Sequence, residues 1–169
     1  LRRDGGCAGD TLYVTGIPGL AGAGYLLAEP GPAARRALAR PTPAVAFAVA
    51  AAAHAHAAMD LSDGLAADLP RLCAASGCGA RLDPGQLPDH PDLHGPPGSP
   101  PARTLALAAG DDYQLLLAAP PDADAALRAL ARDHGLNLTA VGTLTAAPAV
   151  TLTDGPWPAP PWRHFGEGP

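Results

Sequence analysis

The sequence predicts an α/β or α+β fold, a mixed sheet with helices packed on one face, and three observations carry that expectation. Short runs rich in β-branched, aromatic or leucine residues alternate with helical stretches along the whole chain. The hydrophobic fraction is 47% but aromatics are only 4% and alanine dominates the apolar content, so each buried position contributes little area. At 169 residues the chain suffices for one domain with a real core and is too short for two of full size.

The elements follow in order. Thr11 to Gly16 has the β-branched and aromatic content and the glycine stop of a strand, with Asp10 before it as a turn residue. Leu20 to Glu29 reads as a helix in which Gly22 and Gly24 let another backbone come close, and Glu29-Pro30-Gly31-Pro32 ends it. A helical piece spans Ala33 to Ala39, and Arg40-Pro41-Thr42-Pro43 is an extended link. Thr42 is placed to cap a helix from Ala44 to His54, with Pro43 at its first position. The apolar run Ala44 to Ala53 falls short of a ~20-residue membrane span and reads as a buried helix. Ala57 to Leu61 is a short buried strand, followed by a tight turn and a helix carrying Leu65, Leu69, Leu72 and Ser76 on one face and closed by Gly77.

Gly79 to Asp83 is the next strand, and the proline-dense stretch 84–101 reads as a surface excursion or mobile loop. Ala102 to Ala109 is a helix and Tyr113 to Leu117 a strand, with Gly110-Asp111-Asp112 at the junction. Asp122 to His134 is amphipathic, with Leu127, Leu130 and Ala131 inward and Arg128, Arg132 and Asp133 outward. Val141 to Leu144 and Val150 to Thr153 complete the set as a final strand pair, before a proline-rich tail, 154–169, that carries Trp157, Trp162, His164 and Phe165.

Composition removes several functions. Eleven basic residues, all arginine, stand against 16 acidic ones, and a net charge of -5 argues against a nucleic-acid or phospholipid surface, each of which needs a basic field. Three cysteines without a CxxC pair fit neither a disulfide framework nor a zinc knuckle and point to a reducing cytoplasm. Nothing at the start resembles a signal peptide. The glycine-rich segment Gly16 to Gly24 does not fit a P-loop, since there is no lysine to complete one. His54 and His56, two apart on a helix in this reading, make a poor metal pair and read as solvated or helix-ending.

The chemistry concentrates in Ala58-Met59-Asp60-Leu61-Ser62-Asp63-Gly64-Leu65. Two readings are open. Ser62 or Asp63 is the N-cap of the following helix, or Asp60 and Asp63 hold a hard cation while Ser62 and the first helical N–H groups meet a phosphate. The two can coexist, and capping gives no reason for the charge of Asp60 at the end of so apolar a strand. Ala109-Gly110-Asp111-Asp112-Tyr113 repeats the pattern, with an ordinary Gly-Asp turn as its simpler reading. Trp157 and Trp162 either cover a ligand ring or pin the tail to the body.

Taken together, several stretches resemble the C-terminal part of thiamine-monophosphate kinases, in the superfamily of aminoimidazole ribonucleotide synthetase. They are Met59-Asp60-Leu61-Ser62-Asp63-Gly64-Leu65-Ala66-Ala67-Asp68-Leu69, Ala75-Ser76-Gly77-Cys78-Gly79-Ala80-Arg81-Leu82-Asp83, and Gly9-Asp10-Thr11-Leu12-Tyr13-Val14-Thr15-Gly16. Arg40-Pro41-Thr42-Pro43, Gly110-Asp111-Asp112-Tyr113 and Trp162-Arg163-His164-Phe165 follow in the same order. The resemblance implies ATP-dependent phosphorylation of thiamine monophosphate to thiamine diphosphate. It implies that Asp60 and Asp63 ligate Mg²⁺, that Ser62 and Arg3 contact ATP, and that Asp111 and Trp162 contact the substrate. Asp111 stands where the family usually has glutamate, one methylene longer. The resemblance further implies a cytoplasmic homodimer at full length. It also implies a separate N-terminal ATP- and Mg²⁺-binding domain that this chain does not contain, so that residues 1–169 form the C-terminal half of a site. Another ATP-dependent enzyme of the superfamily, or a non-catalytic domain that binds a partner, are the alternatives.

Overall fold

The computed structural model describes residues 1–158. A six-stranded sheet in the order β2-β4-β1-β5-β3-β6 is built from β1 (Thr11–Thr15), β2 (Ala57–Leu61), β3 (Gly79–Leu82), β4 (Gln114–Ala119), β5 (Leu138–Thr145) and β6 (Val150–Leu152). Neighbours pair antiparallel except β3 and β6, which run parallel. The helices are α1 (Leu20–Leu26), α2 (Pro32–Ala39), α3 (Val45–Ala51), α4 (Leu65–Ser76), α5 (Ala102–Ala108) and α6 (Asp124–Asp133). The mixed α+β class is therefore as expected.

The placing of the helices differs from expectation. Along β1, Leu12 and Val14 join Leu65, Leu69 and Leu72 of α4 on one side of the sheet, while Tyr13 joins Phe47 of α3 and Leu127 of α6 on the other. Helices thus cover both faces rather than one. The physical reason lies in the central strands: Leu116 and Ala118 of β4 belong to the first core and Leu117 and Ala119 to the second, so each face needs its own cover. The Tyr13 hydroxyl donates to Asp124 at the start of α6, 2.9 Å away, which pins the second layer to the sheet.

A satellite core joins α1 and α2 through Ala23, Leu27, Ala34, Leu93 and Leu105. The glycine at 24 is required here, because a Cβ would lie 2.5 Å from the Ala34 carbonyl oxygen. Stretch 84–101 is more than a surface excursion. Leu93 is buried in this satellite core, and the Asp92 carboxylate accepts the Ala33 and Ala34 N–H groups at 2.7 and 3.2 Å, capping α2.

Two caps and one pairing also depart from expectation. Helix α3 starts at Val45 after Ala44, without a side-chain cap from Thr42, and ends at Ala51. Helix α4 takes Gly64 as its N-cap, so neither Ser62 nor Asp63 caps it. With φ at 87°, Gly64 turns the strand directly into the helix, and a Cβ there would meet the Ala109 carbonyl oxygen at 2.6 Å. Strand β6 does not pair with β5; it lies beside β3, because the connection after β5 folds over Gly79, where a Cβ would lie 1.9 Å from the Ala147 carbonyl oxygen.

Gly77, with φ at 65°, closes α4 as expected. Inside that helix Pro70 has no N–H to give to the Ala66 carbonyl, and the Trp157 indole N–H donates to that carbonyl instead, at 3.1 Å. A bidentate ion pair between Arg103 and Asp154, at 2.5 and 2.8 Å, fixes the same stretch of chain. Among the described residues, no helix is long and apolar enough to cross a membrane.

Candidate functional site

The two acidic turns meet. The chain leaving β2 at Leu61 and the chain entering β4 lie side by side, with the Asp111 N–H donating to the Ser62 carbonyl at 2.8 Å and the Tyr113 N–H to the Leu61 carbonyl at 2.9 Å. Only glycine fits at 110, where a Cβ would lie 2.5 Å from the Ser62 carbonyl oxygen. To make this contact Asp111 and Tyr113 adopt left-handed backbone angles, φ 65° and 50°. Each costs an L-residue about 1–2 kcal/mol, and such strain is held where surrounding bonds over-determine it. With Tyr25 and Leu26 of α1, the turns enclose a recess of about 380 Å³ into which Ser62, Asp63 and Asp111 face. Tyr25 is 77% exposed, an aromatic ring standing free at the mouth.

One buried carboxylate organises this end of the molecule. Asp68, fully buried in the first turn of α4, accepts the Asp63 N–H at 2.9 Å through one oxygen and the Arg71 guanidinium at 2.7 Å through the other. Arg71 also reaches the Asp63 carboxylate at 2.5 Å. Burial pushes the Asp68 carboxyl up from its ordinary range, further than the Asp63 N–H and Arg71 pull it down. Hydrogen bonding to Asp63 holds the Arg71 guanidinium above its usual value. Asp68 thereby sets the position of the loop that carries Ser62 and Asp63, a role close to the cap the sequence suggested but supplied from inside the helix.

Asp112 performs a related task beneath the recess. Its carboxylate accepts the Gly19 N–H at 2.6 Å and the Ala21 N–H at 3.1 Å, seating the start of α1 and so Tyr25. Burial pushes this carboxyl up to about 6, against the pull of those two N–H groups.

The remaining expected residues sit elsewhere. Asp60 pairs across the sheet with Leu115 and faces the α3 side, in a separate recess of about 500 Å³ with Leu1, Ala48, Val49 and Met59. Its carboxylate makes no hydrogen bond or ion pair with the other described residues. The structure therefore brings together Ser62, Asp63 and Asp111, and sets Asp60 on the far side of the strand end. Arg3 lies on an N-terminal segment that runs beside β2, where the Arg2 carbonyl accepts the Ala58 N–H at 2.9 Å. Its own carbonyl accepts the Ser76 hydroxyl at 2.9 Å, and its exposed side chain is not among those lining the recess with Ser62. Arg2 is held in an ion pair with Asp4. Trp162 lies outside the described residues. Trp157 pins the tail to α4, the second of the two readings given to it.

Sequence reasoning missed the organising roles of Asp68 and Asp112, although both stand inside the quoted motifs, and it missed Tyr25 altogether. It also missed that His56, which follows α3 rather than lying on it, meets Asp10 and Cys7.

With this geometry established, similarity to known proteins is informative. The family described as AIR synthase related protein, C-terminal domain, matches residues 8–155. The thiamine-monophosphate kinase of Salmonella typhimurium is 36% identical over 163 residues, which covers 86% of this chain and 48% of that protein. The chain spans about half the length of the curated relatives it matches. The crystal structure of thiamine-monophosphate kinase from Stenotrophomonas maltophilia superposes with a TM-score of 0.84 at 36% identity, covering 94% of this chain and 54% of that one. A structure of AaThiL complexed with AMPPCP and TMP gives a TM-score of 0.76 at 28% identity, covering 96% and 53%.

Proposed function

The chain belongs to the family of AIR synthase related proteins, as their C-terminal domain, and from that premise we propose that it forms one wall of a site that phosphorylates thiamine monophosphate with ATP. The observation that carries this reading is the joining of two acidic turns in one recess, with Ser62, Asp63 and Asp111 on its wall. Its relatives named thiamine-monophosphate kinase, and the neighbour complexed with AMPPCP and TMP, support it.

The reaction passes the terminal phosphoryl group of ATP to the phosphate of thiamine monophosphate, leaving ADP and thiamine diphosphate. Two anions must approach, so the protein's contribution is positioning and charge neutralisation more than covalent chemistry. The carboxylates fit Mg²⁺ in type, being hard oxygen donors, and Asp60 is exposed and unpaired among the described residues. Asp60 and Asp63 would each offer a carboxylate to Mg²⁺, on their separate sides of the strand end, and the bound cation would neutralise phosphate oxygens. Metal binding at the Asp63 carboxylate would compete with its ion pair to Arg71, whose guanidinium keeps Asp68 as its second partner. Ser62 and Arg3 would contact ATP, and Asp111 and Trp162 the substrate. The strained backbone at Asp111 aims its shorter carboxylate into the recess without the reach of a glutamate.

The complementary N-terminal half, with the rest of the ligands, lies outside this chain in our reading. The full-length enzyme is read as a cytoplasmic homodimer, and three free cysteines suit a reducing compartment. The test is to join or mix the chain with the N-terminal half of a relative and measure thiamine diphosphate formed from ATP, Mg²⁺ and thiamine monophosphate. Turnover is expected. No turnover of thiamine monophosphate, with turnover of another phosphorylated metabolite, would replace the substrate, and undiminished activity in Asp60→Asn and Asp63→Asn would overturn the metal assignment.

A further inference from the structure

At the end of the sheet opposite the acidic turns, three donor groups of different chemistry come together. Strands β1 and β2 flank β4 and begin beside its last residues, with Thr11 opposite Ala119 and Ala57 opposite Ala118. The residues just before each strand are therefore neighbours. Asp10 precedes β1 and His56 precedes β2, and the His56 Nδ1 lies 3.0 Å from each Asp10 carboxylate oxygen. Cys7 completes the group: one ligand atom from each of Cys7, Asp10 and His56 lies within 4.8 Å of the other two.

We propose that Cys7, Asp10 and His56 form a binding site for a thiophilic divalent cation of the zinc class. A thiolate, an imidazole and one carboxylate suit borderline-soft ions, and make a poor site for Mg²⁺, which prefers oxygen alone. At the usual bond lengths the donors of a tetrahedral zinc site stand about 3.3–3.8 Å apart, so closing on an ion needs shifts of about 1 Å. The two groups that must move are the exposed ones: Cys7, whose Sγ donates to the Gly5 carbonyl at 3.6 Å and would give up that bond as a thiolate, and His56. The fourth position is open to solvent on this exposed side, as three protein ligands commonly leave it.

The third group is already fixed. Asp10 is buried, accepts the Cys7 N–H at 2.8 Å, and donates its own N–H to the Cys7 carbonyl at 3.0 Å, closing a tight loop around Gly9, whose φ is 98°. The preceding segment is clamped by the Ser76 hydroxyl, which accepts the Gly6 N–H at 3.0 Å and donates to the Arg3 carbonyl. At Gly5 a Cβ would lie 2.3 Å from the His56 carbonyl oxygen, so the segment lies directly against the backbone that carries the imidazole. An Asp10–His56 contact alone accounts for two of the three groups and leaves the thiol only a long hydrogen bond to the Gly5 carbonyl. Cys73 and Cys78 are both buried, which leaves Cys7 as the available thiol.

The test titrates the chain with Co²⁺ alone and follows its absorption, then lets Zn²⁺ compete. A thiolate-to-cobalt charge-transfer band with the visible bands of four-coordinate Co²⁺ is expected at one equivalent. Cys7→Ser should abolish the charge-transfer band, and His56→Ala should weaken Co²⁺ and Zn²⁺ binding by about 10- to 100-fold or more. Both side chains are exposed, so the variants keep the fold, which circular dichroism and thermal unfolding without metal check. Absence of the band in the wild type, its persistence in Cys7→Ser, or its loss in Cys73→Ser instead, overturns the proposal. None of these readouts depends on kinase activity, so the site stands or falls apart from the reading of the acidic recess.

Discussion

The two ends of strand β2 are built on one plan and face different chemistry. Each is organised by a buried aspartate that gathers backbone N–H groups: Asp10 takes that of Cys7 at the start of the strand, and Asp68 takes that of Asp63 beyond its end. Around Asp10 the outward groups are an imidazole and a thiol. Around Asp68 they are carboxylates restrained by one guanidinium, and the backbone opposite them is held in left-handed angles at Asp111 and Tyr113. The comparison teaches that a buried acid supplies position and that its neighbours supply function. Among the non-glycine described residues, left-handed backbone occurs only at the end we assign to phosphoryl transfer.

The largest expected effect would break the symmetry outright. In the chain joined to a complementary half, Asp63→Asn should lower thiamine diphosphate formation by about 10²–10³-fold, because it removes a charge facing the reaction. Cobalt absorption at the opposite end should not change; a change there would show that the two ends are coupled. Next comes Asp68→Ala, which leaves the Asp63 N–H without its acceptor and Arg71 with one partner fewer, at a cost of about 2–4 kcal/mol in denaturant unfolding. A loss below about 0.5 kcal/mol would remove Asp68 as the organiser.

The third test concerns pH. Burial raises the folded-state Asp112 carboxyl to about 6 from an unfolded value of 3.8. Its contribution to stability is thus fully present below the unfolded value and is lost as pH rises through the folded one. Relative to Asp112→Asn, the wild type should lose stability of order 1–3 kcal/mol between about pH 4 and pH 6, measured as the difference between the two unfolding curves. A parallel pair of curves would count against the raised value. The smallest effect is Asp111→Gly, which relieves the left-handed backbone and should stabilise the chain by about 0.5–1 kcal/mol while lowering turnover of the joined enzyme. Stabilisation without loss of turnover would mean that Asp111 does not touch the substrate.

Much of the fold was legible because its signals are local. Strand β2 was read to its observed ends, since an apolar run bounded by His56 and the Ser62-Asp63-Gly64 turn has little freedom. Gly77 was read as a helix stop for the same reason. The acidic recess was half legible: Ser62, Asp63 and Asp111 each announced themselves, but their meeting depends on two long-range backbone hydrogen bonds that no local pattern records. Asp60 was grouped with Asp63 by proximity in sequence, although strand alternation sends its side chain to the other face. Cys7 and His56 were unreadable as a pair, lying 49 positions apart and joined only by how β1 and β2 flank β4. One-sided cover of the sheet was an underestimate, because a run such as Leu115-Leu116-Leu117 does not say which neighbours each leucine meets.

Pro70 turns a helical defect into a mooring point. A residue with an N–H at 70 would satisfy the Ala66 carbonyl within α4 and strengthen the helix, yet it would compete directly with the Trp157 indole for the same oxygen. Helix and tail are thus rivals for a single acceptor, and a substitution that looks like an improvement in one register, Pro70→Ala, acts as a release catch in the other. The indole is also its own gauge: Trp157 fluorescence should shift to the red when the catch opens, reporting detachment of the tail without any added label.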